Sequence, residues 1–146
     1  MPAPDLIVSS PEPIPTILTS TTAHSGNPGA LSAWLTSIAA ERGVAHAVLI
    51  HANGTLEFGQ VHEPGKLATV IGEVERYNLE LSNELKRSPS RVYTLEFNGG
   101  AIVALSLRVA SGTKYLVVHL EDMASYSRIF AQAQRDYDQL LVWSGG

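Results

Sequence analysis

Apolar residues change their spacing several times along this chain, and each change marks an element. Leu31, Trp34, Leu35, Ile38 and Ala39 recur at helical spacing, with Asn27-Pro28 as N-cap and first-turn proline and Gly43 placed to stop the helix. Residues 45–51 form an apolar run containing Val48, Leu49 and Ile50, and residues 55–61 read as a return strand. Asn53-Gly54 between them suits a two-residue type I′ turn, which needs positive φ at both positions. That turn would set Leu49 opposite Phe58 and His51 opposite Leu56.

A long amphipathic helix is predicted over residues 64–87. Leu67, Val70, Val74, Tyr77 and Leu81 follow a 3-4-3-4 spacing, flanked by Ile71 and Leu85, and read as the core stripe. A second face, Ala68, Gly72, Glu75, Leu79 and Ser82, includes residues small enough for another backbone to approach. Gly72 costs about 1 kcal/mol relative to alanine in a helix interior, which points to a packing reason. A third face, Thr69, Glu73, Arg76, Glu80 and Asn83, is polar, and Ser88-Pro89 is read as the stop.

Three strands follow. Residues 91–97 alternate, with Tyr93, Leu95 and Phe97 on one face, and Asn98-Gly99-Gly100 turns the chain. Residues 101–109 are apolar on both faces until Arg108; Ser111-Gly112 turns again and residues 114–120 form the last strand. Continuous apolar runs in the middle strands require both sheet faces to be covered. Tyr126, Ile129, Phe130, Ala133, Tyr137, Leu140 and Leu141 mark a closing helix, with Asp122 or Ser125 as candidate cap.

This αββαβββα order defines an α+β sandwich, a five-stranded antiparallel sheet with helices on both faces. Crossing five strands takes about 19 Å, whereas a helix over residues 64–87 spans about 36 Å. The long helix can therefore join the outer strand of the hairpin to the outer strand of the meander. Residues 55–61 and 91–97 become the edges, the first and fifth strands meet in the middle, and the terminal helices share the face opposite the long one.

Composition narrows the function. A chain of 146 residues with 45% hydrophobic and 16% charged residues suits one globular domain. The net charge of −4 provides no basic stripe for nucleic acid. Without cysteine there are no disulfides or thiolate metal sites. No stretch reaches the roughly 18 apolar residues of a membrane span, and the start lacks the basic and apolar regions of a secretory signal. A cytoplasmic location, with no membrane partner, is the expectation.

Residues 1–26 read as a largely extended tail: five of the eight prolines, Pro2, Pro4, Pro11, Pro13 and Pro15, lie there among serines and threonines. Leu6, Ile7, Val8, Ile14, Ile17 and Leu18 would let it pack on the domain edge or bind a partner. Residues 27–146 form the domain proper.

Catalytic signals are weak. His24, His46, His51, His62 and His119 are scattered, with no pair at i, i+4 on one helix, and His119 reads as a hydrogen-bonded core histidine. No Gly-x-Ser-x-Gly elbow exists, and Gly112-Thr113-Lys114 lacks the rest of a phosphate loop. Glu73, Glu75, Glu80 and Glu84, interleaved with Arg76, Lys86 and Arg87, read as a solvated helix face. Trp34 and Trp143 read as packing anchors. No catalytic, cofactor-binding or metal-binding residue is assigned, and no cofactor is expected.

The element order, the hairpin 45–54 and the long helix after it resemble the roadblock/LC7 family over roughly residues 28–142. That family includes dynein light chains, Rag-GTPase scaffold subunits and bacterial activators of small gliding-motility GTPases. Its members often carry an acidic residue shortly before the hairpin glycine, where this chain has Ala52-Asn53. The resemblance implies a roadblock/profilin-like fold and a non-enzymatic homodimer or heterodimer that binds a small Ras-like GTPase. It places the two-fold interface on the long helix and the third strand.

The residues agree with such an interface. An edge strand without proline or lysine is a template for pairing, and residues 91–97 carry only Arg91 and Glu96 as charges. Ala68, Gly72, Glu75, Leu79, Val92 and Thr94 are the expected dimer contacts; the alternative packs Gly72 against a loop within one chain. Glu73, Arg76, Glu80 and Asn83 are the expected partner-binding surface. The competing functional reading is a small-molecule sensor domain of PAS or GAF type, which requires an internal pocket that the apolar middle strands argue against.

Overall fold

Asn27 begins the first ordered element as an N-cap, its Oδ1 accepting from Ala30 N at 3.0 Å with Pro28 in the first turn. The computed structural model describes residues 26–146, so the expected tail lies outside the described residues. From that cap run α1 (Pro28–Ala39), β1 (Val44–His51), β2 (Leu56–Phe58), α2 (Pro64–Glu84), β3 (Val92–Phe97), β4 (Gly100–Val109), β5 (Gly112–Leu120) and α3 (Tyr126–Trp143). The five strands form one antiparallel sheet in the order β2-β1-β5-β4-β3, as the span argument requires.

Strand alternation divides the core into two layers. Leu49, Val103, Leu105, Leu116 and Val118 face α1 and α3, packing on Leu35, Ile38, Ile129 and Leu140. Val48, Ile50, Ala104, Tyr115 and Val117 face α2, meeting Ala68 and Ile71. Trp34, buried on α1, donates its indole N–H to Asp136 Oδ2 at 2.9 Å and so ties α1 to α3. Ser125 stands at the N-cap of α3, but its hydroxyl donates to the Arg42 carbonyl at 2.7 Å instead of capping the helix.

Three local expectations are corrected. The hairpin keeps Leu49 opposite Phe58 but pairs Ile50, not His51, with Leu56, through a bulge. Gly54 alone takes positive φ, at 94°, and its N–H donates to the His51 carbonyl at 2.8 Å. Asn53 instead accepts from Thr55 N at 2.9 Å, which makes the loop longer and β2 shorter than the I′ reading allowed. Finally, α2 stops before Ser88-Pro89. Lys86 adopts φ 56°, and Lys86 N and Arg87 N donate to Asn83 O and Ser82 O at 3.1 and 2.8 Å. This is a Schellman close made without glycine.

Candidate functional site

The outer surface of α2 carries the most distinctive chemistry of the described residues, because its faces are arranged differently from the expected pattern. Ala68 and Ile71 are buried against the sheet. A Cβ added to Gly72 would lie 3.3 Å from Tyr115 Oη, so this glycine serves the protomer's own packing. Glu75 is largely covered and accepts from Arg108 at 3.2 Å. Ser82 is buried, its hydroxyl donating to Leu79 O at 3.0 Å. The small face is therefore directed at the helix's own sheet, and only Leu79 of its expected contacts is exposed, at 42%.

The stripe read as core points outward. Val70, Tyr77, Leu81 and Leu85 are 51%, 61%, 61% and 60% exposed, while Leu67 and Val74 are half-buried. At about 100° per residue, Tyr77 points about 140° away from Gly72. Single exposed apolar residues are ordinary, but these lie in a row along one helix and form a continuous apolar stripe. The missed signal was size: a helix lying close on a sheet turns its smallest residues inward, so Ala68, Gly72 and Ser82 marked the packed side.

Glu73, Arg76, Glu80 and Asn83 are all exposed. Arg76 joins Glu73 and Glu80 at 2.6 and 2.8 Å, and its guanidinium lies 4.7 Å from the Tyr77 ring centroid. Those two carboxylates hold the guanidinium above its ordinary pKa, with the Glu73 hydrogen bond the largest cause. The result is a charged ridge alongside the apolar stripe.

Among the described residues, β3 pairs with β4 alone, so its other edge is unpaired. Val92 is buried toward α1 and α3, and Thr94 Oγ1 lies 3.0 Å from Tyr126 Oη. Both side chains are occupied within the protomer, leaving their backbone groups as what the edge offers. On the opposite face of β3, Tyr93 and Leu95 pack partly against the α2 layer, and Phe97 at its end is 54% exposed.

A cavity of about 360 Å³ lies between the C-terminal half of α2, the start of β3 and the end of α3. Its polar groups already satisfy one another: Tyr93 Oη lies 2.7 Å from Ser106 Oγ, and Tyr137 Oη donates to Ser106 O at 2.8 Å. Arg108 pairs with Glu75, and Arg91 pairs with Asp138 at 3.0 Å. Burial pushes the Tyr93 hydroxyl up to about 12, against the opposing pull of its Ser106 hydrogen bond. Little polar capacity is left there to recognise a small molecule.

The histidines are placed unevenly. His51 and Lys114 both reach Glu57, at 2.8 and 3.0 Å, and the buried Lys114 ammonium also donates to Ser144 O, tying the hairpin to the end of α3. His62 is solvent-exposed beside Glu63. His119 is not a hydrogen-bonded core side chain: it is half-buried, with its ring stacked on that of His46. No group of three or more potential metal ligands occurs among the described residues, and none of their helices is long and apolar enough to cross a membrane.

The architecture is that of roadblock/LC7 domains. The chain is similar to an MglB with a tetrameric arrangement, at TM-score 0.64 and 14% identity over 80% of this chain and 89% of that one. It is similar to the gliding protein MglB of Thermus thermophilus, at TM-score 0.63 and 15% identity over 82% and 92%. A Roadblock/LC7 domain from Streptomyces avermitilis aligns at TM-score 0.53 and 14% identity, covering 80% of this chain and 99% of that domain. No protein-family model and no curated protein sequence matches the chain. At such identities the likeness is one of fold.

Proposed function

We propose that this chain is a non-enzymatic, dimeric regulatory module that binds a small Ras-like GTPase. The observation that carries the reading is the uncovered apolar row Val70, Tyr77, Leu81 and Leu85 on α2, in a fold whose edge strand β3 is also unpaired. A second copy would cover that row, with the β3 edges adding backbone hydrogen bonds across the two-fold axis. Val70, Val74, Tyr77 and Leu81 thus replace Ala68, Gly72 and Glu75 as the side-chain contacts, while Val92 and Thr94 contribute backbone. The tetrameric arrangement of one MglB supports self-assembly in this fold, and the resemblance to roadblock/LC7 proteins supplies the GTPase class.

In the dimer the Glu73, Arg76, Glu80 and Asn83 ridges remain outside and form the GTPase-facing surface. Ridge charges of this kind act on association rate and partner choice more than on the fold. A panel of small GTPases loaded with GDP or a GTP analogue, titrated against the wild type and Glu73→Lys/Glu80→Lys, tests the assignment. Binding by the wild type and weakened binding by the double variant, with unchanged melting, supports it. Equal binding moves the contact elsewhere, and GTP turnover by the isolated protein overturns the non-enzymatic reading. The sensor alternative would need the cavity beside Tyr93 and Ser106, whose polar groups are engaged with each other.

A further inference from the structure

We propose that His46 and His119 form a two-imidazole surface site for a borderline divalent transition cation such as Zn²⁺, Ni²⁺ or Cu²⁺. The antiparallel register of β1 and β5 sets the two residues directly opposite each other. Directly opposed residues have Cβ atoms about 4.5–5.5 Å apart, within reach of a shared small ligand. Their rings are stacked, with centroids 5.6 Å apart and planes 27° from parallel. Alternation from Val48 and Val117 puts both on the α2 side of the sheet, two residues beyond the positions that α2 covers. His46 is exposed and His119 half-buried, so an ion reaches the pair from solvent.

Neither imidazole hydrogen-bonds another described residue, so both keep a nitrogen lone pair when neutral. Ile102 opposes His119 from β4, which makes one wall of the site apolar. Neutral imidazole suits Zn, Cu and Ni, and a metal–nitrogen distance of about 2.0–2.1 Å requires both rings to rotate about their side-chain bonds, out of the stack, so that their in-plane lone pairs converge on one ion. With no third donor beside the pair among the described residues, the remaining coordination positions go to water. The absence of cysteine removes a competing thiolate site elsewhere in the chain. This inference rests on the histidine geometry alone and is independent of the GTPase reading.

Calorimetric titration of the full chain with Ni²⁺ and with Zn²⁺, at about pH 7.5 and about pH 5.5, tests it, since protons compete with the metal for the imidazole nitrogens. The expected result is one ion per chain at the higher pH and loss of binding at the lower. His46→Gln and His119→Gln should each abolish it, while His62→Gln keeps it. Circular dichroism melts of the same variants without metal confirm that they are folded, and added Ni²⁺ should raise the melting temperature of the wild type only where both histidines remain. Absence of binding to the wild type, or binding undiminished in both His46→Gln and His119→Gln, overturns the proposal.

Discussion

Gly72 lies where a Cβ would come within 3.3 Å of the Tyr115 hydroxyl oxygen. That approach lies on the side of α2 where Ala68, Ile71 and Ser82 are buried. With Gly72, Ala68 and Ile71 against the sheet, the larger apolar residues Val70, Tyr77 and Leu81 are turned away from it. Packing within the chain thereby leaves an apolar row exposed on the far side of α2.

Substitution at Gly72 is therefore expected to act on folding first. Gly72→Val forces the helix off Tyr115 and should destabilise the protein by about 1–3 kcal/mol, the usual cost of overpacking. Gly72→Arg should lower stability further, so it is a poor probe of assembly. Urea unfolding followed by circular dichroism measures both. A Gly72→Val variant as stable as the wild type would show that the helix floats above Tyr115.

The close of α2 offers a gain. Lys86 holds φ 56°, which costs a residue with a side chain about 1 kcal/mol or more. Lys86→Gly keeps both backbone hydrogen bonds of the Schellman close and should raise stability by about 1 kcal/mol, read as a higher urea midpoint at unchanged m-value.

Tyr93 links stability to alkaline pH. Folding raises its pKa to about 12, so it favours the neutral phenol. The sign follows: its contribution is complete below the unfolded value of about 10 and is lost as pH rises toward the folded value. Tyr93→Phe should cost about 1 kcal/mol at neutral pH through the lost Ser106 partner. It should also flatten the fall in stability between about pH 10 and 12. Denaturant titrations across that range compare the two proteins.

Much of this was legible in the sequence. Alternating and helical periods located every element, and the length of the α2 segment against the width of a sheet yielded the strand order. The Asn27 cap and the paired terminal helices were readable for the same reason: they depend on local chemistry or on simple span. The face of α2 was not. Its longest apolar row reads as core under any periodicity argument, and only the small residues at 68, 72 and 82 betrayed the packed side. The His46–His119 pair was hidden because it depends on strand register, which no spacing within one segment reveals.

Deletion of residues 1–25 should leave a folded domain. The described chain already caps its own first helix at Asn27, and Asn27 N donates to Trp143 O at 2.9 Å, securing that end to α3. Thermal unfolding of the truncated protein should remain cooperative; a broad, gradual melt would mean that the tail completes the core.

Sedimentation velocity of the wild type beside Tyr77→Glu/Leu81→Glu tests the central claim most directly. Both side chains are exposed within the single chain, so the double variant should still fold and melt cooperatively, at a lower temperature only by what the dimer contributes. The account predicts a wild-type dimer at micromolar concentration and a folded monomer for the variant, because two carboxylates cannot be buried unpaired in an apolar seam. A wild-type monomer, or a variant that remains dimeric, would contradict it.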